Sequence, residues 1–345
     1  MKKPFLILIL SILVAALGAC SSGNSASPAP STSAAEAPDP AKSDANKEMD
    51  TVLVTEAFHT LLYLPLYVAN KEGLFENNHI KISNIRSAGT GPTALASVLA
   101  GEAQFSVHGP EHVGFAKEKG GHAKAVSAVA NSAPVWILAN KNVAFNSPED
   151  LRGKRIVVGL APGTSNTLLK RLLRDHGLDF TKDVTVTEVQ NGSELGPVLA
   201  GQADIAVAYQ PQVEQGLSQG LQLIYNFTEK YPEYAFSTFN TSIQLMEKNP
   251  DLVKRFVKSM DESLKFIHQN PEIAKKVARA EFPELDGEVV DNAVQRMIDS
   301  NVYPPNANIT EEAFKVAIDM QKFVGNIKTD MKYEDIVDAS FIPNE

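Results

Sequence analysis

The chain has 345 residues, of which 43% are hydrophobic and 21% charged, and it contains one cysteine. This length predicts two domains of ordinary size, and this apolar fraction excludes a disordered chain. The net charge of −9 argues against a general nucleic-acid binder, because phosphate binding requires a basic surface. A single cysteine excludes an intramolecular disulfide framework and a zinc site built from several cysteines.

The N-terminal segment differs from the rest of the chain. A short basic start precedes the apolar run Phe5 to Ala16, which is too short for a comfortable membrane span. Leu17-Gly18-Ala19-Cys20 follows and resembles the bacterial lipobox, which implies cleavage before Cys20 and lipid attachment to that residue. We therefore expect a signal peptide over 1–19, followed by the lipidated cysteine and a flexible Ser/Ala/Pro-rich tether over 20–49. An ordinary signal peptide or an uncleaved anchor is the alternative.

From Asp50 onward, predicted strands and helices alternate. The first group comprises strands at 50–56, 80–85, 104–107, 125–129 and 135–139 and helices at 64–72 and 92–99. After a turn-rich segment the pattern restarts, with strands at 155–160, 184–189, 205–208 and 221–225 and helices at 167–176 and 193–200. The remainder is mostly helical, at 250–270, 273–281, 287–301 and 311–325. This alternation predicts an α/β fold with mainly parallel sheets.

An internal repeat indicates two similar α/β lobes. Residues 98–107 (VLAGEAQFSV) align without gaps with residues 198–207 (VLAGQADIAV), and six of the ten positions are identical. Each copy has the pattern of a helix end, a glycine and a strand. The alternative, that helix–strand connections often look alike, stays open. Two such lobes would place the carboxyl ends of their strands around a shared cleft, where ligands of open α/β sheets bind.

Six short motifs run in order through this body: LPLYVA at 64–69, KEGLF at 71–75, GEAQF at 101–105, SPEDLRGK at 147–154, PGTS at 162–165 and LAGQAD at 199–204. Together they resemble the substrate-binding lipoproteins of ABC importers, in the branch for sulfonates, taurine, nitrate or thiamine-pyrimidine precursors. The resemblance implies a periplasmic-binding-protein-like fold with two crossing strands, near 136–140 and 235–240, and a helical C-terminus. Lobe 1 would then comprise 50–139 plus 238–345, and lobe 2 would comprise 140–237.

The function that this resemblance implies is capture of a small organic solute and its delivery to a membrane permease, and indirectly to the permease's ATPase. We expect no catalysis, cofactor, metal or nucleic-acid partner. The protein would be an exported monomer, lipid-anchored to the cell membrane or facing the periplasm. A pyrimidine-synthase-like enzyme on the same fold and a ligand-presenting sensor subunit are the alternatives. The enzyme family carries a cysteine-rich motif, whereas Cys20 is the only cysteine here.

The candidate ligand-binding residues lie in loops that follow predicted strands or precede predicted helices. Gly89–Thr90 and Thr164–Ser165 stand at helix starts, where free backbone N–H groups can bind an acceptor, although helix capping explains them equally well. The other candidates supply imidazole, hydroxyl, amide, carboxyl and aromatic groups: His59, Thr60, His108, Glu111, Asn131, Tyr209, Gln210 and Tyr234. His108 and His112 by themselves make an incomplete metal site.

The side chains beside these loops favour a planar heterocycle as ligand. Arg86 is the only cation immediately beside them, whereas Glu56 and Glu111 lie close to the same strand ends. A small anion would be held by Arg or Lys and disfavoured by carboxylates. We therefore predict a heterocycle with N–H donors, such as a thiamine-pyrimidine precursor, ahead of sulfonate or taurine and then nitrate. Backbone N–H groups can bind an anion without a cation, so the anionic ligands stay open.

Overall fold

The computed structural model describes residues 48–343 of the chain. The predicted signal peptide, Cys20 and nearly all of the predicted tether lie outside these residues. No helix within 48–343 is both long enough and apolar enough to cross a membrane.

The described residues form two five-stranded sheets covered by helices. The strands are β1 Asp50–Glu56, β2 Ile80–Ser87, β3 Phe105–His108, β4 Ala123–Ala130, β5 Trp136–Ala139, β6 Arg155–Gly159, β7 Thr185–Val189, β8 Ile205–Ala208, β9 Gln222–Asn226 and β10 Ser237–Ser242. The α-helices are α1 Leu64–Lys71, α2 Leu74–Asn77, α3 Gly91–Leu99, α4 Glu111–Glu118, α5 Thr164–Asp175, α6 Leu195–Leu199, α7 Gln212–Ser218, α8 Phe227–Lys230, α9 Ile243–Lys248, α10 Pro250–Gln269, α11 Pro271–Glu281, α12 Gly287–Asp299, α13 Glu311–Phe323 and α14 Tyr333–Ile336. Short 3₁₀ helices occupy Leu61–Tyr63, Pro148–Leu151 and Ala339–Phe341.

The two sheets have the same layout. The first has the strand order β2-β1-β3-β10-β4 and the second β7-β6-β8-β5-β9. In each sheet one strand, β10 or β5, runs antiparallel to both of its neighbours, and the other four strands share one direction. The sheets are therefore mixed but mainly parallel, and the predicted α/β class is confirmed.

The two antiparallel strands are the crossing strands. The chain leaves β4 of the first sheet and enters the second as β5, and it leaves β9 of the second sheet and returns to the first as β10. The crossings therefore lie near Trp136 and Ser237, as predicted, and the mostly helical C-terminal part follows the second crossing.

The internal repeat occupies equivalent positions in the two sheets. The first copy spans the end of α3 and β3, the second spans the end of α6 and β8, and both strands take the third place in their sheet. Gly101 (φ 75°) and Gly201 (φ 70°) follow these helices in the left-handed conformation that glycine adopts without a Cβ clash. The prediction of two similar α/β lobes is confirmed.

The sequence prediction lacks the short helices α2, α8, α9 and α14, and it differs from the structure at three further helices that follow strands. Helices α4 and α7, which directly follow the two repeat copies, were not predicted, because they are short and begin with the polar residues Glu111 and Gln212. Helix α5 begins at Thr164, three residues earlier than predicted, since its polar first turn resembles a loop. Thr164 and Ser165 therefore lie inside the first helical turn.

Candidate functional site

A group of buried side chains lies where the strands of both sheets end. Tyr63 follows β1 and Glu111 follows β3, whereas Tyr209 follows β8 and Ser165 lies in the first turn of α5. Glu194 immediately precedes α6, and Tyr234 lies in the second crossing. None of the six is more than 8% exposed. We call these six residues the inter-sheet cluster.

Polar contacts connect the cluster across neighbouring elements. The Ser165 backbone N–H donates to the Tyr209 Oη over 2.9 Å. The Thr164 side chain lies beside the Tyr234 hydroxyl, and the Ser237 side chain lies beside the Tyr63 hydroxyl. The two halves of the molecule therefore present hydroxyl groups to one buried region.

Two buried carboxyl groups belong to the cluster. Burial raises the pKa of Glu111 and the pKa of Glu194 to about 7 each. The Gly192 backbone N–H donates to Glu194 Oε2 over 2.8 Å, whereas Glu194 Oε1 has no hydrogen-bond partner within residues 48–343. Burial is also the main reason that the pKa of Tyr209 rises to about 12, and the charges of Glu194 and Glu111 add to it. Both carboxyls therefore lie within electrostatic reach of one hydroxyl.

Aromatic rings adjoin these polar groups. The ring of Phe236 lies 5.9 Å from that of Tyr209 and 6.3 Å from that of Tyr234, and the ring of Phe58 lies 6.0 Å from that of Tyr63. Such faces can stack on a planar ligand while the tyrosine hydroxyls supply polar contacts.

A glycine makes room for the cluster at the end of β6. A Cβ atom at Gly159 would come within 2.2 Å of Asn191 Oδ1 and 2.9 Å of Ser165 Oγ. Both distances are far shorter than van der Waals contact, so a side chain at position 159 would displace Ser165 or Asn191.

Five of the residues predicted to bind ligand come together here: Glu111, Thr164, Ser165, Tyr209 and Tyr234. Asn131 adjoins them in the first crossing, where its Oδ1 accepts a hydrogen bond from the Tyr234 backbone N–H over 3.3 Å. Whether these residues hold a ligand stays a prediction, and the structure supplies the geometry for it.

His59 and Thr60 lie beside α1, where Glu56, Tyr67 and Phe282 surround the His59 ring. His59 Nδ1 is 3.1 Å from Glu56 Oε1, and the His59 ring stacks on Phe282 at 4.4 Å. Glu56 Oε2 also accepts a hydrogen bond from the Tyr67 hydroxyl over 2.6 Å. The Thr60 side chain caps the 3₁₀ helix that follows it. Both carboxyl oxygens of Glu56 thus already have hydrogen-bond partners, His59 and Tyr67.

Of the four other predicted residues, His108, Gln210 and Thr90 have local structural partners, and Gly89 is exposed. His108 Nε2 lies 3.0 Å from Ser106 Oγ, and burial lowers the pKa of His108 to about 4. Gln210 donates to Glu214 Oε1 over 3.1 Å. Gly89 and Thr90 are exposed, and the Thr90 hydroxyl caps α3 by accepting the Thr93 N–H.

Arg86, His108 and His112 are the side chains that the sequence offers to an anion or a metal ion. Arg86 is exposed, and its Nη2 lies 3.5 Å from Glu102 Oε2. The rings of His108 and His112 are 5.1 Å apart. Within the described part of the chain, no group of three or more His, Cys, Asp or Glu residues is arranged to hold a metal ion.

Sequence reasoning missed Tyr63 and Glu194 as individual residues. Tyr63 lies three residues after the candidate Thr60, and Glu194 lies at the start of the helix predicted over 193–200, so both lie at or beside features predicted from the sequence. Their burial was not readable from the sequence, because a polar residue in a loop is usually exposed.

Comparison with known proteins agrees with this architecture. The riboflavin-binding protein RibY of Chloroflexus aurantiacus is 26% identical over 303 residues, covering 85% of this chain and 82% of RibY. The alkanesulfonate-binding protein SsuA of Xanthomonas axonopodis pv. citri, solved with bound MOPS, has a TM-score of 0.63 at 18% identity and covers 82% of this chain and 96% of SsuA. The desulfurization enzyme DSZB has a TM-score of 0.62 at 12% identity and covers 85% of this chain and 97% of DSZB. The chain therefore shares its fold with a binding protein, SsuA, and with an enzyme, DSZB.

The family described as NMT1/THI5-like matches residues 62–274, which is more than half of the chain. The matched range includes both crossings and every residue of the inter-sheet cluster. The chain therefore belongs to the NMT1/THI5-like family.

Proposed function

We propose that this protein is the extracytoplasmic substrate-binding component of an ABC importer, and that its ligand binds at the inter-sheet cluster. Binding between two similar α/β lobes joined by two crossings allows closure on the ligand by a hinge. The relatives and fold neighbours that are named as binding proteins, RibY and SsuA, support this function. The resemblance of the chain to importer lipoproteins supports delivery to a permease.

The ligand that we propose is a nitrogen heterocycle with N–H donors, neutral or cationic. The observation that carries this is the pair Glu111 and Glu194, two buried carboxyls beside the tyrosines of the cluster. When it is ionised, a buried carboxyl requires hydrogen-bond donors or a positive charge, and it repels a sulfonate or nitrate. RibY, a relative named for riboflavin, is consistent with this ligand class. The fold likeness to SsuA does not decide the ligand, because identity is only 18%.

The test is isothermal titration of the purified protein with 2,4-diaminopyrimidine and riboflavin, compared with ethanesulfonate and nitrate. We expect binding of at least one heterocycle and no binding of the two anions. Glu194→Gln should weaken heterocycle binding about 10- to 100-fold, as expected for losing a hydrogen bond to a charged group. The matched control is Glu284→Gln at an exposed position. Binding of the anions alone would contradict the ligand class, and chemical turnover of a bound compound would contradict the binding-only function.

The membrane attachment that we propose is a lipid on Cys20. Its support is the sequence Leu17-Gly18-Ala19-Cys20 together with the Ser/Ala/Pro-rich segment that follows. Metabolic labelling with radioactive palmitate should mark the wild-type protein and leave Cys20→Ser unlabelled. Equal labelling of the two proteins would contradict a lipid on this residue.

A further inference from the structure

An apolar cavity of about 390 Å³ lies between helices α3 and α4. Its lining includes Pro92, Leu95 and Ala96 from α3, Phe115 and Ala116 from α4, and Pro162 from the loop before α5. Both halves of the molecule thus contribute to it. Its volume lies in the range of about 300–1,000 Å³ that is typical of small-molecule sites.

The cavity adjoins the inter-sheet cluster through His112. This residue also lines the cavity, and its Nε2 lies 3.9 Å from the Oε1 of Glu111, its neighbour in the chain. On the other wall, Pro162 is separated by a single residue from Thr164, whose side chain lies beside the Tyr234 hydroxyl. His112 therefore contacts both the cavity and the carboxyl of Glu111.

The walls of the cavity suit hydrocarbon. The His112 ring packs edge-on against Phe115 at 5.6 Å, and burial lowers the pKa of His112 well below its usual range, which keeps the ring uncharged at neutral pH. The charged lining residues Glu118 and Lys119 are exposed. An apolar group here would lose water without displacing a charge.

We propose that this cavity is a second compartment of the ligand site, which accepts an apolar ring or chain attached to the heterocycle bound at the inter-sheet cluster. The inference rests on the proposed function and narrows the ligand class. The ligand would have two edges of different character, one with N–H groups facing Glu111 and one of hydrocarbon lying between α3 and α4. A small heterocycle would fill only the polar compartment.

The test compares two probes that share one polar edge, 2,4-diaminopyrimidine and 2,4-diaminoquinazoline, of which the second adds a fused benzene ring. We expect the quinazoline to bind the wild-type protein at least about tenfold more tightly, from the extra apolar area that it buries. Ala96→Leu should remove this gain by filling the cavity, and because Ala96 is exposed the substitution leaves the core unchanged. Ala116→Leu fills the same space from α4 and provides a second variant. Ala280→Leu, at an exposed site on α11, is the matched control and should keep the gain.

The outcomes separate this inference from the proposed function. If both probes bind the wild-type protein equally well, or if both filled variants keep the quinazoline preference, the second compartment is refuted while the heterocycle site stands. If neither probe binds, the second compartment is refuted, and the ligand class is refuted with it unless riboflavin binds.

Discussion

Replacing Glu194 by Gln should change how the stability of the unliganded protein depends on pH. The Glu194 pKa rises from 4.5 to about 7 through burial. Between these values the folded protein keeps a proton that the unfolded chain has released, so the free energy of unfolding falls as the pH rises. The difference between the two pKa values corresponds to about 3 kcal/mol of folded-state stabilisation. This stabilisation is fully present below pH 4.5 and is lost above pH 7. Gln cannot titrate, and its side-chain oxygen can still accept the Gly192 N–H.

The assay is urea denaturation of wild type and Glu194→Gln at several pH values from 5 to 8. From pH 5 to pH 8, the free energy of unfolding of the variant should rise by about 2–3 kcal/mol relative to that of the wild type. The reason is that only the wild type loses the stabilisation that the Glu194 proton provides. Other titrating groups, such as Glu111 and His108, are common to both proteins and cancel in the difference. Glu284→Gln, at an exposed position, should follow the wild-type profile. A wild-type-to-variant difference that is the same at pH 5 and pH 8 would refute the reasoning.

Two further substitutions test the packing around the site. Tyr209→Phe should lower the free energy of unfolding by about 1–3 kcal/mol, since the buried Ser165 N–H loses its acceptor, and an unchanged urea midpoint would contradict this. Gly159→Ala should cost about 1–3 kcal/mol by forcing Asn191 and Ser165 aside. Gly196→Ala is its matched control, because a Cβ there meets nothing within 4 Å, and calorimetry should find that variant neutral or slightly stabilised.

Much of the fold was predictable because it rests on local patterns. The alternation of strands and helices gave the α/β class, and the repeat around Gly101 and Gly201 predicted two similar lobes. The starts of α4, α5 and α7 were harder, because the polar residues in their first turns also suit loops. No local pattern shows that the strand after β4 leaves its sheet, and the crossings followed from the family resemblance.

The candidate site was predictable only in part, because burial depends on tertiary contacts. Glu111 and Tyr209 follow the two repeat strands, and strand ends are where open α/β sheets bind ligands. His59 also follows a strand, yet it is paired with Glu56 and stacked on Phe282. Thr90 and Ser165 both stand at helix starts, but Thr90 is an exposed cap and Ser165 is buried against Tyr209. His59 resembles Glu111 and Tyr209 in its sequence position, and Thr90 resembles Ser165. The residues differ in which distant parts of the chain pack against them.

The chain enters the second sheet at β5 and returns to the first sheet at β10. This path sets the order in which the two sheets can be completed during synthesis. All strands of the second sheet lie within 136–226, whereas the first sheet needs β10 at 237–242. Until β10 leaves the ribosome, β4 has no neighbouring strand and β3 has an open edge, an arrangement that invites pairing with other chains. The second sheet is thus an insertion within the first. It can be excised or replaced as one continuous gene segment, whereas the first sheet cannot be made from any continuous fragment that omits it.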